Sequence, residues 1–295
     1  MRICRFNRNR LGVVEGDRVR DVTAALDVLP QLRWPATPGD PLILHLPTLR
    51  EAISRLLERA PSVALAQVSL HSPITTPSKI MGAPANYRLH VELDTLDPAI
   101  DQGVHRKSLE GVKRPVETHG LFLKANSSLI GPAEAIPIVL PDRRTDHEVE
   151  LALIIGRAGH SIARHDAMNY VAGYCIGLDM TVRGAEDRSQ RKSADGYTVL
   201  GPWFVSADEI ADPHALTLSL SVDGQERQRS STRAMTVDIP DLIAYASRFY
   251  TLLPGDVLLT GTPEGVGPVL PGQRIDASCT GIGEMTIHTV AHRGG

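Results

Sequence analysis

The sequence predicts a mainly β protein of α+β type. A small N-terminal α+β domain over residues 1–75 is followed by a larger β unit, sandwich or barrel, over residues 76–295. Three observations carry this reading. Beyond residue 77 the chain is a series of short apolar runs separated by glycine and proline, the pattern of a sandwich or barrel. Helical periodicity is confined to a few segments. A stretch rich in proline and serine, HSPITTPSKIMGAPANY, lies between the two parts and marks the boundary.

Taken in order, ICRFNRNRLGVVEGDRVRDVTAAL reads as two short strands joined at a turn, then a further strand. An amphipathic helix follows in PTLREAISRLLERAPS, with Leu49, Ile53, Leu56 and Leu57 at helical spacing. Thr48 is the expected N-cap, with Glu51 three residues on completing a capping box. The β runs are then KIMGAP, GLFLKA, AIPIVL, VELALIIG, VAGYCIGLDM, GPWFVS, LTLSLSVDG, DVLLTG and MTIHTVA. HDAMNYVAGY and IPDLIAYASRFYTL are the candidate helices of this part. The segment from Val91 to Thr118 is polar and weakly periodic. A connection this long reads as a lid or binding loop, or as a surface insertion without a role.

Of the 295 residues, 42% are hydrophobic and 22% charged, ordinary values for a soluble globular chain. A net charge of −3 without a basic run gives no electrostatic reason to expect nucleic acid or anionic membrane as a partner. No apolar run is long enough to span a bilayer, and the opening MRICRFNRNRLGVVEGDRV does not resemble a signal peptide. Cys4, Cys175 and Cys279 follow neither metal nor disulfide spacing, which suggests reduced thiols and a cytoplasmic protein. Aromatic residues make up only 4%, which argues against an aromatic-lined groove.

The chemistry concentrates in DHEVELALIIG and YCIGLDMTVRG. Residues two apart on a strand share a face, so Glu148 and Glu150 stand side by side next to Ala152, while Val149, Leu151, Leu153 and Ile155 fill the other face. Two acids on an apolar strand repel, and burial makes them costly. With Asp179 from the second segment they form an oxygen donor set suited to Mg²⁺, Mn²⁺ or Ca²⁺ rather than zinc. The competing reading is an edge strand whose acids face water. Four further groups have the right residue types. His90 and Glu92 in ANYRLHVEL could form a base and its orienting carboxylate. Lys124 and Ser128 in FLKANSSLIGP could bind an oxyanion or simply make a turn. Arg183 and Lys192, beyond Asp179, could meet a carboxylate and a developing negative charge. The turn in LPGDVLLTGTPEGVG could hold an anion on backbone amides, and it is not a Walker A loop.

In their order, NYRLHVE, FLKANSSLIGP, DHEVELALIIG, GYCIGLDMTVRG, KSADGYTVLGPW and LPGDVLLTGTPEGVG resemble the fumarylacetoacetate hydrolase family over most of residues 77–290. RFNRNRLGVVEGDRVRDVT resembles the small leading domain of its bacterial members. The resemblance implies a mixed β-sandwich or β-roll fold, a homodimer, and Mg²⁺- or Mn²⁺-dependent chemistry on small 2,4-dioxo or enol acids. It implies Glu148, Glu150 and Asp179 as metal ligands and His90 as general base. Lys192 matches the active-site lysine, Arg183 a substrate-contacting arginine, and Thr260 with Gly261 the turn at the substrate's carboxylate end. Leu93 stands where hydrolytic members often carry a carboxylate, and Glu92 is one residue short of it. Glu186 replaces a neutral amide in the segment after Arg183 and is expected to alter substrate preference. The leading expectation is hydrolysis of a carbon–carbon bond in an acylpyruvate-type 2,4-dioxo acid, such as fumarylpyruvate or a 2,4-dioxo sugar acid, to pyruvate and a carboxylic acid. A decarboxylase or enol/keto isomerase is the alternative, and a non-catalytic metabolite-binding protein a lesser one.

Overall fold

The computed structural model describes residues 1–31, 33–87 and 114–292. His90, Glu92 and the segment 91–113 lie outside the described residues. The N-terminal part contains β1 (Arg2–Phe6), β2 (Arg10–Glu15), β3 (Arg18–Asp21), α1 (Pro41–Leu44), α2 (Leu46–Leu57), β4 (Ser62–Ala64) and β5 (Leu70–His71). There follow β6 (Ile80–Gly82), α3 (Pro115–His119), β7 (Phe122–Lys124), β8 (Leu129–Ile130), β9 (Ala135–Ile138), β10 (Thr145–His147) and β11 (Val149–Ile155). The remainder is β12 (Val171–Asp179), β13 (Thr181–Val182), α4 (Arg188–Arg191), β14 (Thr198–Ser206), β15 (Thr217–Val222), β16 (Gln225–Ser231), α5 (Ile239–Phe249), β17 (Val257–Leu259), β18 (Gly267–Pro268), β19 (Arg274–Cys279) and β20 (Gly283–Ala291). Among the described residues no helix is long and apolar enough to cross a membrane.

The main sheet runs β4-β3-β2-β1-β14-β12-β11-β17-β6-β7, with β5 on β1 and β8 on β14, twelve strands in all. A five-stranded sheet runs β16-β15-β19-β20-β9, and β13-β10-β18 form a small third sheet. The alternation in VELALII explains how these layers stack. Val149, Leu151, Leu153 and Ile155 pack with Leu218, Leu220, Ile275 and Ile287 of the five-stranded sheet, which makes a sandwich. On the opposite face Ala152 and Ile154 pack with Leu49 and Ile53 of α2. β11 lies between β12 and β17 and is buried along its whole length. The edge-strand reading of the two glutamates is thereby excluded, because both faces of the strand are covered.

The expected β runs all form strands, and the helix beginning at Ile239 is present, capped by the Asp238 side chain on the Asp241 amide. Three details differ from expectation. α2 begins at Leu46 with Pro47 in its first turn, so Thr48 lies inside the helix and is not its cap. The side-chain cap of this region belongs to Asp40, which accepts from the Leu42 amide at 3.0 Å and precedes α1. HDAMNYVAGY divides into a 3-10 turn over Arg164–Tyr170 and the start of β12, because its β-branched Val171 enters the sheet opposite Ile155.

β1 pairs with β14, placing Arg2 opposite Val205 and Ile3 opposite Phe204. The strands of residues 1–75 therefore continue the sheet that carries Glu150. A boundary near residue 76 is retained as a proposal about how the chain folds, and it crosses this hydrogen-bonded pair.

Candidate metal centre

The register of β11 against β12 builds the centre. Glu150 lies opposite Gly177 and Val149 opposite Leu178. The Asp179 amide donates to the Glu148 carbonyl at 2.9 Å, which sets Asp179 beside the glutamates on the same face. Glu148, Glu150 and Asp179 are all buried, and one carboxylate oxygen from each lies within 4.8 Å of the others. Burial, then the Asp179 and Glu148 charges, holds the Glu150 carboxyl well above the usual carboxylate range, against Lys192 and the Gly261 amide. Hard oxygen donors gathered in a buried, charge-strained cluster fit a divalent cation.

Two lysines share these acids. Lys192 Nζ donates to Glu148 at 2.8 Å, to Asp179 at 2.7 Å and to the Thr181 hydroxyl at 2.6 Å. Lys124 Nζ donates to the other Asp179 oxygen, and to the Tyr197 carbonyl at 3.0 Å. Burial lowers the Lys124 pKa, and Asp179 opposes the shift. Lys124, read from the sequence as an oxyanion binder or a turn residue, is buried at the end of β7 on the acid cluster.

Arg183 approaches from the end of β13. Its Nε donates to Asp146 at 2.7 Å, and its Nη2 stands 3.6 Å from Glu148. In the turn after β17, the Gly261 amide donates to Glu150 at 2.6 Å. Gly261 has φ +97°, and a Cβ there would stand 2.6 Å from the Asn86 Cβ, so only glycine fits. Thr260 uses its hydroxyl on the Leu151 carbonyl at 2.9 Å. Ser128 is wholly buried and bonds the Ala125 carbonyl and the Thr198 hydroxyl, each at 2.7 Å. Both hydroxyls thus make hydrogen bonds within the fold. Glu186 is gripped by Arg143 through bonds of 2.8 and 2.7 Å, which drop its pKa to about 2.

Three side chains that contact the site residues escaped the sequence reading. Asp146 extends the alternation to D-x-E-x-E and holds Arg183. Thr181, two residues beyond Asp179, donates its hydroxyl to Glu148 at 3.0 Å. In both, the same period of two that revealed Glu148 and Glu150 was the available signal. Asn86 gave no signal. Its amide donates to the Val237 and Thr260 carbonyls at 2.9 Å each and accepts from the Val237 amide at 2.8 Å, tying the segment before residue 88 to the Gly261 turn.

Fold and centre together define a mixed β-sandwich protein with a buried carboxylate cluster that could hold a divalent cation. Residues 79–290 match the family model described as fumarylacetoacetate (FAA) hydrolase C-terminal. The chain is 51% identical over 287 residues to a maleylpyruvate hydrolase of Aquipseudomonas alcaligenes, covering 97% of this chain and 98% of that one. An oxaloacetate decarboxylase, mitochondrial, of Dictyostelium discoideum is 42% identical over 187 residues, 60% of this chain and 84% of that one. The crystal structure of maleylpyruvate hydrolase from Sphingobium sp. SYK-6 in complex with manganese(II) ion and pyruvate superposes with a TM-score of 0.81 at 40% identity, covering 99% of this chain and 100% of that one. The chain belongs to the fumarylacetoacetate hydrolase family. The manganese in that neighbour agrees with the expected Mg²⁺ or Mn²⁺ cofactor, and Glu148, Glu150 and Asp179 could hold such an ion.

Proposed function

We propose that the chain hydrolyses a 2,4-dioxo acid of the maleylpyruvate type to pyruvate and the matching carboxylic acid. The observation that carries this is the buried carboxylate cluster shared by two lysines, in a chain 51% identical to a maleylpyruvate hydrolase along nearly its whole length. Glu148, Glu150 and Asp179 would hold the Mg²⁺ or Mn²⁺, which when bound supplies a Lewis acid for the substrate's 1-carboxylate and 2-oxo oxygens. Arg183, fixed by Asp146, orients the 1-carboxylate. The Gly261 amide keeps Glu150 in place, and Thr260 anchors that turn to β11.

His90 takes a proton from water, and Glu92 orients the imidazole. The water oxygen attacks the 4-carbonyl carbon. The C3–C4 bond breaks, its electron pair stays on C3 as the pyruvate enolate, and the hydroxyl remains on C4 in the new carboxylic acid. Lys192 balances the enolate charge until C3 accepts a proton. One water is consumed. Glu186, with its charge committed to Arg143, tunes preference from the rim of this region. Cytoplasmic location and a homodimer belong to the same proposal, on the family resemblance and the free, buried cysteines. Light scattering on the purified chain tests the dimer.

A decarboxylase or tautomerase is the second reading. It is favoured by the likeness to an oxaloacetate decarboxylase and by Leu93 in place of a carboxylate. The two readings separate on products. Maleylpyruvate, fumarylpyruvate, acetylpyruvate and oxaloacetate are incubated with Mg²⁺, Mn²⁺ or chelator. Hydrolysis predicts metal-dependent pyruvate together with the matching acid from a dioxo acid. Carbon dioxide from oxaloacetate, with no acid released from any dioxo acid, would transfer the assignment to the second reading.

A further inference from the structure

Beyond the lysines stands a cation, Arg188, that holds no anion among the described residues. β7 presents Lys124 and, two residues away on the same face, Phe122. The Phe122 ring lies against Gly82 of β6. A Cβ at Gly82 would stand 2.2 Å from a ring atom, so the backbone itself makes room for the ring. Lys192 Nζ stands 5.1 Å from the ring centroid, and the Arg188 guanidinium stands 5.8 Å from the same centroid. One aromatic ring is thus shared by Arg188 and the lysine that touches Glu148 and Asp179.

The carboxylates that act on Arg188 are engaged elsewhere. Glu148 is held by Lys192, and Asp179 by both lysines. Asp187 accepts from the Ser189 amide at 2.8 Å as the cap of α4. Among the described residues nothing accepts a hydrogen bond from the Arg188 side chain, whose one contact of charge is the Phe122 ring. Arg188 is half-buried, and burial lowers its pKa while Glu148, Asp179 and Asp187 oppose that shift. A fork of donors held on a ring beside the reacting centre matches a planar carboxylate.

We propose that Arg188 is a subsite for a second carboxylate, at the end of the substrate remote from the 1-carboxylate, and so selects dicarboxylic dioxo acids over those ending in a neutral group. This rests on the hydrolase reading above and names its substrate class. Arg188 is a specificity-determining residue, with no part in bond breaking.

The test compares the manganese-loaded wild-type chain with Arg188→Met and Arg188→Lys, using maleylpyruvate (charged end) and acetylpyruvate (methyl end). Truncating one partner of a desolvated charge pair predicts a fall of about 100-fold in kcat/KM for maleylpyruvate in Arg188→Met, mainly through KM. The fall for acetylpyruvate should be far smaller, and Arg188→Lys should recover part of the loss. Titration calorimetry with maleate gives a readout free of turnover: wild type binds it, and Arg188→Met binds it at least about tenfold more weakly. A similar loss on both substrates, or an unchanged preference together with unchanged maleate binding, overturns the assignment. If wild type cleaves neither dioxo acid, the hydrolase reading fails, and the maleate titration still decides whether Arg188 holds a carboxylate.

Discussion

Glu150 sits between two demands. As a fold residue it is a buried acid beside Asp179 and Glu148, and those neighbours with burial drive it toward protonation. As a ligand it must be ionised. Glu150→Gln removes the first demand and forfeits the second. The Gly261 amide can still be accepted by the new amide oxygen, so the metal-free variant should unfold no lower than wild type, and by up to several degrees higher. Its manganese-induced rise in Tm should vanish, with kcat falling by about 10³-fold or more. Thermal melts with and without Mn²⁺, beside turnover, check all three. The pH dependence follows from the same shift. The folded pKa of Glu150 lies above its unfolded value, so its contribution to metal-free stability is present at low pH and is lost as pH rises through the folded pKa. Bound metal needs the ionised form, so stabilisation by Mn²⁺ should grow as pH rises through the raised pKa of Glu150 and shrink on acidification. An Mn²⁺ effect that strengthened at acid pH would contradict the cluster as the binding site. At this scale E-x-E and Asp179 were legible because strand periodicity and like-charge cost act locally. The roles of Asp146, Thr181 and Lys124 depend on cross-strand neighbours, which a single sequence does not display.

At the scale of elements, the strand pair β11–β12 supplies the acids, and the Gly261 turn holds one of them. Asn86 couples that turn to the segment before residue 88. All of its amide's hydrogen-bonding capacity is used inside the fold. Asn86→Ala would leave the buried Val237 amide and the Thr260 carbonyl short of partners, at a cost of about 2–4 kcal/mol, measured by denaturant unfolding. Activity should fall further than stability explains, because the turn at Glu150 loosens with it. Wild-type stability in this variant would remove Asn86 as the staple. Most strands were legible, since apolar runs between glycine and proline are strong local signals. β16 was not: QERQRSS carries no apolar alternation, and its strand state comes from pairing with β15. α2 was placed correctly as a helix but with the wrong cap, because Pro47 admits an earlier start than Thr48 suggests.

For the whole molecule, the mainly β class was legible from turn spacing, whereas the joining of the N-terminal strands to the main sheet was not, since β1 meets β14 across about two hundred residues of chain. That joining carries a prediction. Ile3, Leu49 and Ile53 share a core with Leu200, Phe204 and Ala152. A chain beginning at residue 76 would expose that core and the β14 edge, so it should express poorly or aggregate. A soluble, cooperatively melting 76–295 fragment would instead establish an independent domain. The central claim joins the carboxylate cluster to the chemistry, and one titration tests it directly. Metal-stripped chain receives Mn²⁺ in steps, while bound metal and pyruvate released from maleylpyruvate are read on the same samples. Pyruvate release should rise in proportion to bound metal, level off at one ion per chain, and be absent from Glu150→Gln at every metal concentration. Full turnover in the stripped chain, or wild-type turnover in Glu150→Gln, would contradict the account.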